Sequence, residues 1–155
     1  MDENEASQNS VSWVLRKLAT PRDTVHLIHV VALEKTISPL NFSPGGLQTE
    51  MMPMLDHELR QIEEEKSRAY LEKATQKCAE AGVPVVSRLL VEHTWETVAT
   101  ALCGVAEELQ ADVLVCARSG KSFMREALQG SLTNYLVHHA CLPVLCIPPH
   151  ILKEE

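Results

Sequence analysis

Aromatic residues are scarce in this chain of 155: two Trp, two Tyr and two Phe, 4% in all. So few stacking platforms argue against a surface for single-stranded nucleic acid. Basic residues are also in the minority, 14 against 21 acidic ones, for a net charge of −7 and a pI near 5.5. DNA, RNA and anionic membranes all reward clustered Lys and Arg, so none of them is expected as a partner. A small anion is different, because backbone N–H groups hold one without a basic surface.

Long apolar runs are missing too. Val113–Ala117 and Val144–Ile147 fall far short of the roughly 20 residues that span a bilayer. The first residues include Asp2, Glu3 and Glu5 rather than the basic start and apolar stretch of a signal peptide, so cytoplasmic residence is the expectation. Cysteines number five, Cys78, Cys103, Cys116, Cys141 and Cys146, an odd set without CxxC spacing. That pattern argues against a disulfide framework or a zinc centre and for buried thiols packing as small hydrophobes. Among the histidines, His26 and His29 would face opposite sides of a strand, and His138 and His139 would diverge on a helix; no metal site is expected.

What is present is an alternation of helical and extended patterns. Ser7 to Ala19 carries Val11, Val14, Leu15 and Leu18 at helical spacing, and Thr20-Pro21-Arg22-Asp23 ends it. Thr24 to Val31 reads as a strand, and Glu34 to Met51, with Pro39, Pro44, Gly45 and Gly46, as a surface loop. A long helix over Pro53 to Ala81 places Leu55, Leu59, Ile62, Ala69, Ala74, Cys78 and Ala81 on its apolar side, and Gly82 and Pro84 stop it. The run Glu63 to Glu65 with Lys66 and Arg68 is its solvated face.

Val85 to Val91 is the next strand, and Thr94 caps a helix to Gln110 with Val98, Leu102, Val105 and Leu109 as its buried stripe. A strand at Val113 to Cys116 follows, then a polar loop and helical turn over Arg118 to Gln129. A helix from Ser131 to Ala140 and a strand from Pro143 to Ile147 complete the pattern. The expectation is one α/β domain over residues 1–150 with a short polar tail at 151–155: an open, mostly parallel sheet of four visible strands with helices on both faces. The apolar character of the last two strands predicts burial on both sides.

Ligands of such sheets settle at the carboxyl ends of the strands. The loop after Cys116 lies at such an end and contains Gly120; ten residues on, Gly130-Ser131 opens a helix whose free N–H groups favour an anion. Ser131 can cap that helix and donate to a phosphate oxygen, and Thr133 adds a second hydroxyl. The same Gly-Ser is also an ordinary helix cap. Gly120-Lys121-Ser122 matches the end of a GxxxxGK[ST] loop, but Val115 stands where its first glycine belongs, which excludes a P-loop.

The spacing Ala117-x2-Gly120-x9-Gly130-Ser131 resembles the universal stress protein signature G-x2-G-x9-G-[ST]. Ala111-Asp112-Val113-Leu114-Val115 before it resembles the family's "aDliV" strand, and Leu132 through Leu145 resembles its "VsnyvvhhapcPVLv" segment. Upstream, His29-Val30 looks like the family's "lHV", and Asp2 to Ser7 looks like its D-x-S-x-x-S segment. Arg125-x-Ala127-Leu128-x-Gly130-Ser131 and the long acidic helix are more like plant members than bacterial ones.

The resemblance implies a stress-response protein that binds ATP or AMP without a metal site of its own. Its contacts would be Asp2 on the ribose or adenine, Val30 lining the adenine pocket, and Gly120, Gly130 and Ser131 on the phosphates. It also implies a homodimer through Val144–Ile147, a pairing that would hide an apolar edge. Two departures accompany it. Ala117 stands at the signature's first glycine, where a Cβ would crowd a phosphate or strain a positive φ.

The family's first strand, central in a sheet ordered 3-2-1-4-5, has no counterpart before Asp2. The sheet then closes between the strands at Thr24 and Val113, or keeps a gap, or the chain is a shortened form. A dimeric scaffold without nucleotide and a slow ATP hydrolase or nucleotidyl-transfer enzyme are the alternatives. The enzyme would need a base near Gly120, and the nearest acid, Asp112, is at the wrong end of its strand.

Overall fold

The computed structural model describes residues 3–32, 52–92, 94–117, 131–148 and 150–151. Within them, helix α1 (Glu3–Lys17) precedes strand β1 (Val25–Ala32), and α2 (Met52–Glu80) leads to β2 (Val85–Glu92). Then come α3 (Trp95–Glu108), β3 (Leu114–Ala117), α4 (Ser131–His139) and β4 (Val144–Ile147). The expected loops at 34–51 and 118–129 lie outside the described residues.

Local chemistry sets the boundaries. Thr94 accepts from the Thr97 N–H at 3.3 Å while the Thr97 hydroxyl bonds back to the Thr94 backbone, a reciprocal box that starts α3. Gly82 at φ +69° ends α2: its own N–H bonds to Ala79 and the next one, on Val83, to Cys78. Helix α3 ends the same way, with Gln110 at φ +49° in the place a glycine usually takes. After α1, the Asp23 carboxylate accepts from both the Thr20 N–H and its hydroxyl at 2.7 Å, which holds the turn and lowers the Asp23 pKa.

Strand β1 pairs in parallel with β2, Val25 opposite Val85, and β3 pairs in parallel with β4, Leu114 opposite Val144, and among the described residues the two ribbons share no strand pairing. Direct closure between β1 and β3 is therefore not seen, and a slot separates the paired ribbons among the described residues. The Val25 N–H donates to Pro84 at 2.8 Å, so residues 25, 27, 29 and 31 turn their backbone groups to β2. His26, Ile28, Val30 and Ala32 therefore turn theirs into the slot. By the same alternation, with Leu114 donating to Pro143 at 2.9 Å, Val115 and Ala117 line its other edge.

Helices cover both faces. On one side α2 lies on β1 and β2, with His29 against Tyr70 at 5.3 Å between rings, and α1 packs beside it. The Lys77 ammonium ties the two helices by donating to Ser12 at 3.1 Å and to the Gln8 carbonyl at 3.3 Å. On this face Ile147 is 2% exposed among Trp13, Val14, Val115, Ala117 and Ile151. On the other side α3 lies on β1 and β2 and meets α4, which covers β4.

Two burial expectations are corrected. Residues 113–116, expected to be buried on both sides, are all only partly covered. Along α2, Ile62 is 47% exposed and Ala69 and Ala81 are exposed too, while Leu71, Ala74 and Cys78 are buried. A helix of 29 residues is about 43 Å long, against about 26 Å for an eight-residue strand, so only its C-terminal part has a sheet beneath it.

Candidate functional site at the carboxyl ends of β3 and β4

Strand β3 ends at Ala117, and α4 begins at Ser131. Thr133, in the first turn of that helix, lies near enough to the Cys116 thiol to lower its pKa, against the burial that raises it. The N–H groups of that turn have no partner within the helix and carry the positive end of its dipole, so the end of β3 meets a place that favours an anion.

Alternation along β3 decides what Ala117 does there. Cys116 faces α4, so Val115 and Ala117 face α1, and the Ala117 methyl packs in the apolar group around Ile147. Its backbone is not left-handed either: Gln110 is the one non-glycine residue with positive φ among those described. Neither feared consequence of the missing glycine, a methyl aimed at a phosphate or a strained φ, is realised.

Of the sequence-derived site residues, Ala117 ends β3, and Ser131 and Thr133 lie in the first turn of α4. Val30 lies two residues before the end of β1, on a ribbon that shares no strand pairing with β3 among the described residues. Asp2, Gly120 and Gly130 lie outside the described residues. No cluster of three or more His, Cys, Asp or Glu that could hold a metal occurs among the described residues. Asp112 is exposed before β3, at the opposite end from α4. Two surface hollows sit elsewhere: one of about 360 Å³ between α2 and β2, lined by Arg68, Leu71 and Ser87, and one of about 430 Å³ by Gln8 and Lys73.

The thiols depart from the sequence expectation. Cys78 and Cys103 are buried, Cys116 and Cys146 are partly exposed, and Cys141 is exposed. Cys116 and Cys146 are in register on β3 and β4 with sulfurs 3.6 Å apart. Burial first, then the neighbouring thiol, pushes Cys116 up to about 12. Sequence reasoning missed this pair because the register of two strands 30 residues apart is not written in their spacing.

A family model settles the kinship of a chain with this architecture and this glycine spacing: that of the universal stress protein family matches residues 1–148. The chain belongs to the universal stress protein family. Among curated proteins, none matches this universal stress protein significantly. Solved structures do. Protein MJ0577 superposes with a TM-score of 0.66 at 19% identity, over 96% of this chain and 91% of its own.

A universal stress protein family protein from Arabidopsis thaliana, with AMP bound, gives 0.58 at 21% identity, over 96% and 83% of the two chains. One from Burkholderia pseudomallei gives 0.59 at 22%, over 96% and 91%. At these identities the likeness establishes a shared α/β fold. No described helix is long and apolar enough to cross a membrane.

Proposed function

We propose that this universal stress protein is a stress-response nucleotide-binding module that holds the phosphates of AMP or ATP at the N-terminus of α4. The observation that carries the reading is the nearness of the first turn of α4, at Thr133, to Cys116 at the carboxyl end of β3, one of two paired parallel strands. The Arabidopsis thaliana relative with AMP bound supports the choice of ligand. Gly120, Gly130 and Ser131 would supply phosphate contacts, with Asp2 and Val30 on the nucleoside side. The protein acts by binding and by partner contact rather than by turnover, and it pairs with a second copy through Val144–Ile147.

A thermal shift assay tests the binding. A ligand that binds only the native state stabilises it by RT ln(1 + [L]/Kd), about 2.7 kcal/mol at a hundredfold excess over Kd. Either AMP or ATP at millimolar concentration is expected to raise Tm, and no shift with either overturns the reading. ATP incubated for hours is expected to yield no ADP.

One observation favours a second reading, a dimeric scaffold without nucleotide. The slot leaves Val30 on a ribbon that does not pair with β3, so the nucleoside and phosphate halves of the site are not joined by the sheet. Under that reading Tm stays put with nucleotide while the dimer persists.

A further inference from the structure

Cys116 lies beside the proposed nucleotide site and Cys146 on the strand proposed to pair, and together they form a close pair of thiols across the β3–β4 ribbon. They stand in register on adjacent parallel strands, their sulfurs 3.6 Å apart, both reduced and both partly exposed.

The separation discriminates between chemistries. Two sulfurs bound at about 2.3 Å to one centre lie about 3.4–3.8 Å apart for bond angles between about 95°, as at a pyramidal trivalent metalloid, and about 110°, so the pair already has the bite of a thiophilic centre. A disulfide at about 2.05 Å would need both side chains to rotate until the sulfurs close by about 1.5 Å, whereas a chelated centre needs almost no movement. Burial and then the neighbouring thiol push the Cys116 pKa up, so its attack on peroxides and disulfides, which needs the thiolate, is slow.

We propose that Cys116 and Cys146 form a dithiol site for trivalent arsenicals and related thiophilic metalloids. Two S–H bonds and two As–O bonds break, two As–S bonds form, and each thiol proton leaves with a hydroxide as water. Arsenic stays trivalent and no electrons are transferred. The site does not depend on nucleotide binding. It competes with one other pair, because Cys103 and the exposed Cys141 lie near each other with Glu107 beside both.

The test adds one equivalent of phenylarsine oxide to the reduced full chain and maps the adduct by mass spectrometry after proteolysis. The expected product is one arsenical per chain bridging the peptides that hold Cys116 and Cys146, removed by 2,3-dimercaptopropanol but not by a monothiol. Cys116→Ser and Cys146→Ser are each expected to weaken binding by about a hundredfold or more, since chelation is lost. Cys103→Ser and Cys141→Ser are expected to leave it within twofold. Mapping on the unsubstituted chain keeps the test valid if a serine disturbs folding. An adduct bridging Cys103 and Cys141, or no adduct at one equivalent, overturns the proposal.

Discussion

Replacing Ala117 by glycine restores the family signature, and the structure gives that change an unwelcome outcome. The Ala117 methyl lies in the apolar group around Ile147, so its removal forfeits up to about 0.8 kcal/mol of burial. Glycine in a strand adds a backbone entropy cost of roughly 0.5–1 kcal/mol. The expected loss is therefore about 1–1.5 kcal/mol. With a urea m-value near 2 kcal/mol/M, the midpoint should fall by about 0.5–0.8 M. Because the methyl faces α1 rather than α4, AMP affinity by calorimetry should stay within about twofold. A tenfold tightening, about 1.4 kcal/mol, would refute the placement of that side chain and revive the idea that it crowds the phosphate.

Other expectations follow from the same geometry. His29 is half-buried and its pKa is lowered by desolvation, so the native state binds its proton less readily than the unfolded chain does. Its contribution is whole above about pH 6.5 and is lost as pH falls below that, at no more than about 1.4 kcal/mol per pH unit; urea midpoints of His29→Gln between pH 7.5 and 5 should show a shallower decline. Gln110→Gly should raise stability by up to about 1 kcal/mol, since φ +49° suits glycine, with Tm as the readout. Amides of His26, Ile28 and Val30, which face the slot, should exchange with deuterium faster than those of Leu27, His29 and Val31, which bond to β2. Val144→Pro removes an outward N–H of β4 while sparing the ladder to β3, so light scattering should show the mass fall from twice 17.2 kDa to 17.2 kDa.

Much of the fold was legible because its punctuation is local. Gly82 and Pro84 end α2, Thr94 starts α3, and Gly130-Ser131 opens α4, each within a residue or two of the sequence reading. What failed depends on how the elements pack. The partial exposure of residues 113–116 is not readable from their own apolar character. The exposure of Ile62 follows from α2 outrunning the sheet.

The site was legible as a spacing of glycines, but the direction of the Ala117 side chain was not. Whether it points to α1 or α4 turns on a single alternation, and its packing beside Trp13 and Val14 on Ile147 sets it toward α1. The pairing of Cys116 with Cys146 needed the register of β3 on β4.

Titration of AMP into the isotope-labelled full chain, followed by backbone amide NMR, tests the central claim most directly. The account predicts saturable shifts with a Kd below about 1 mM, largest at the amides of Ser131, Leu132 and Thr133. Amides of that turn that stay unmoved at several-fold higher AMP, or shifts confined to α2 and β2, would contradict it.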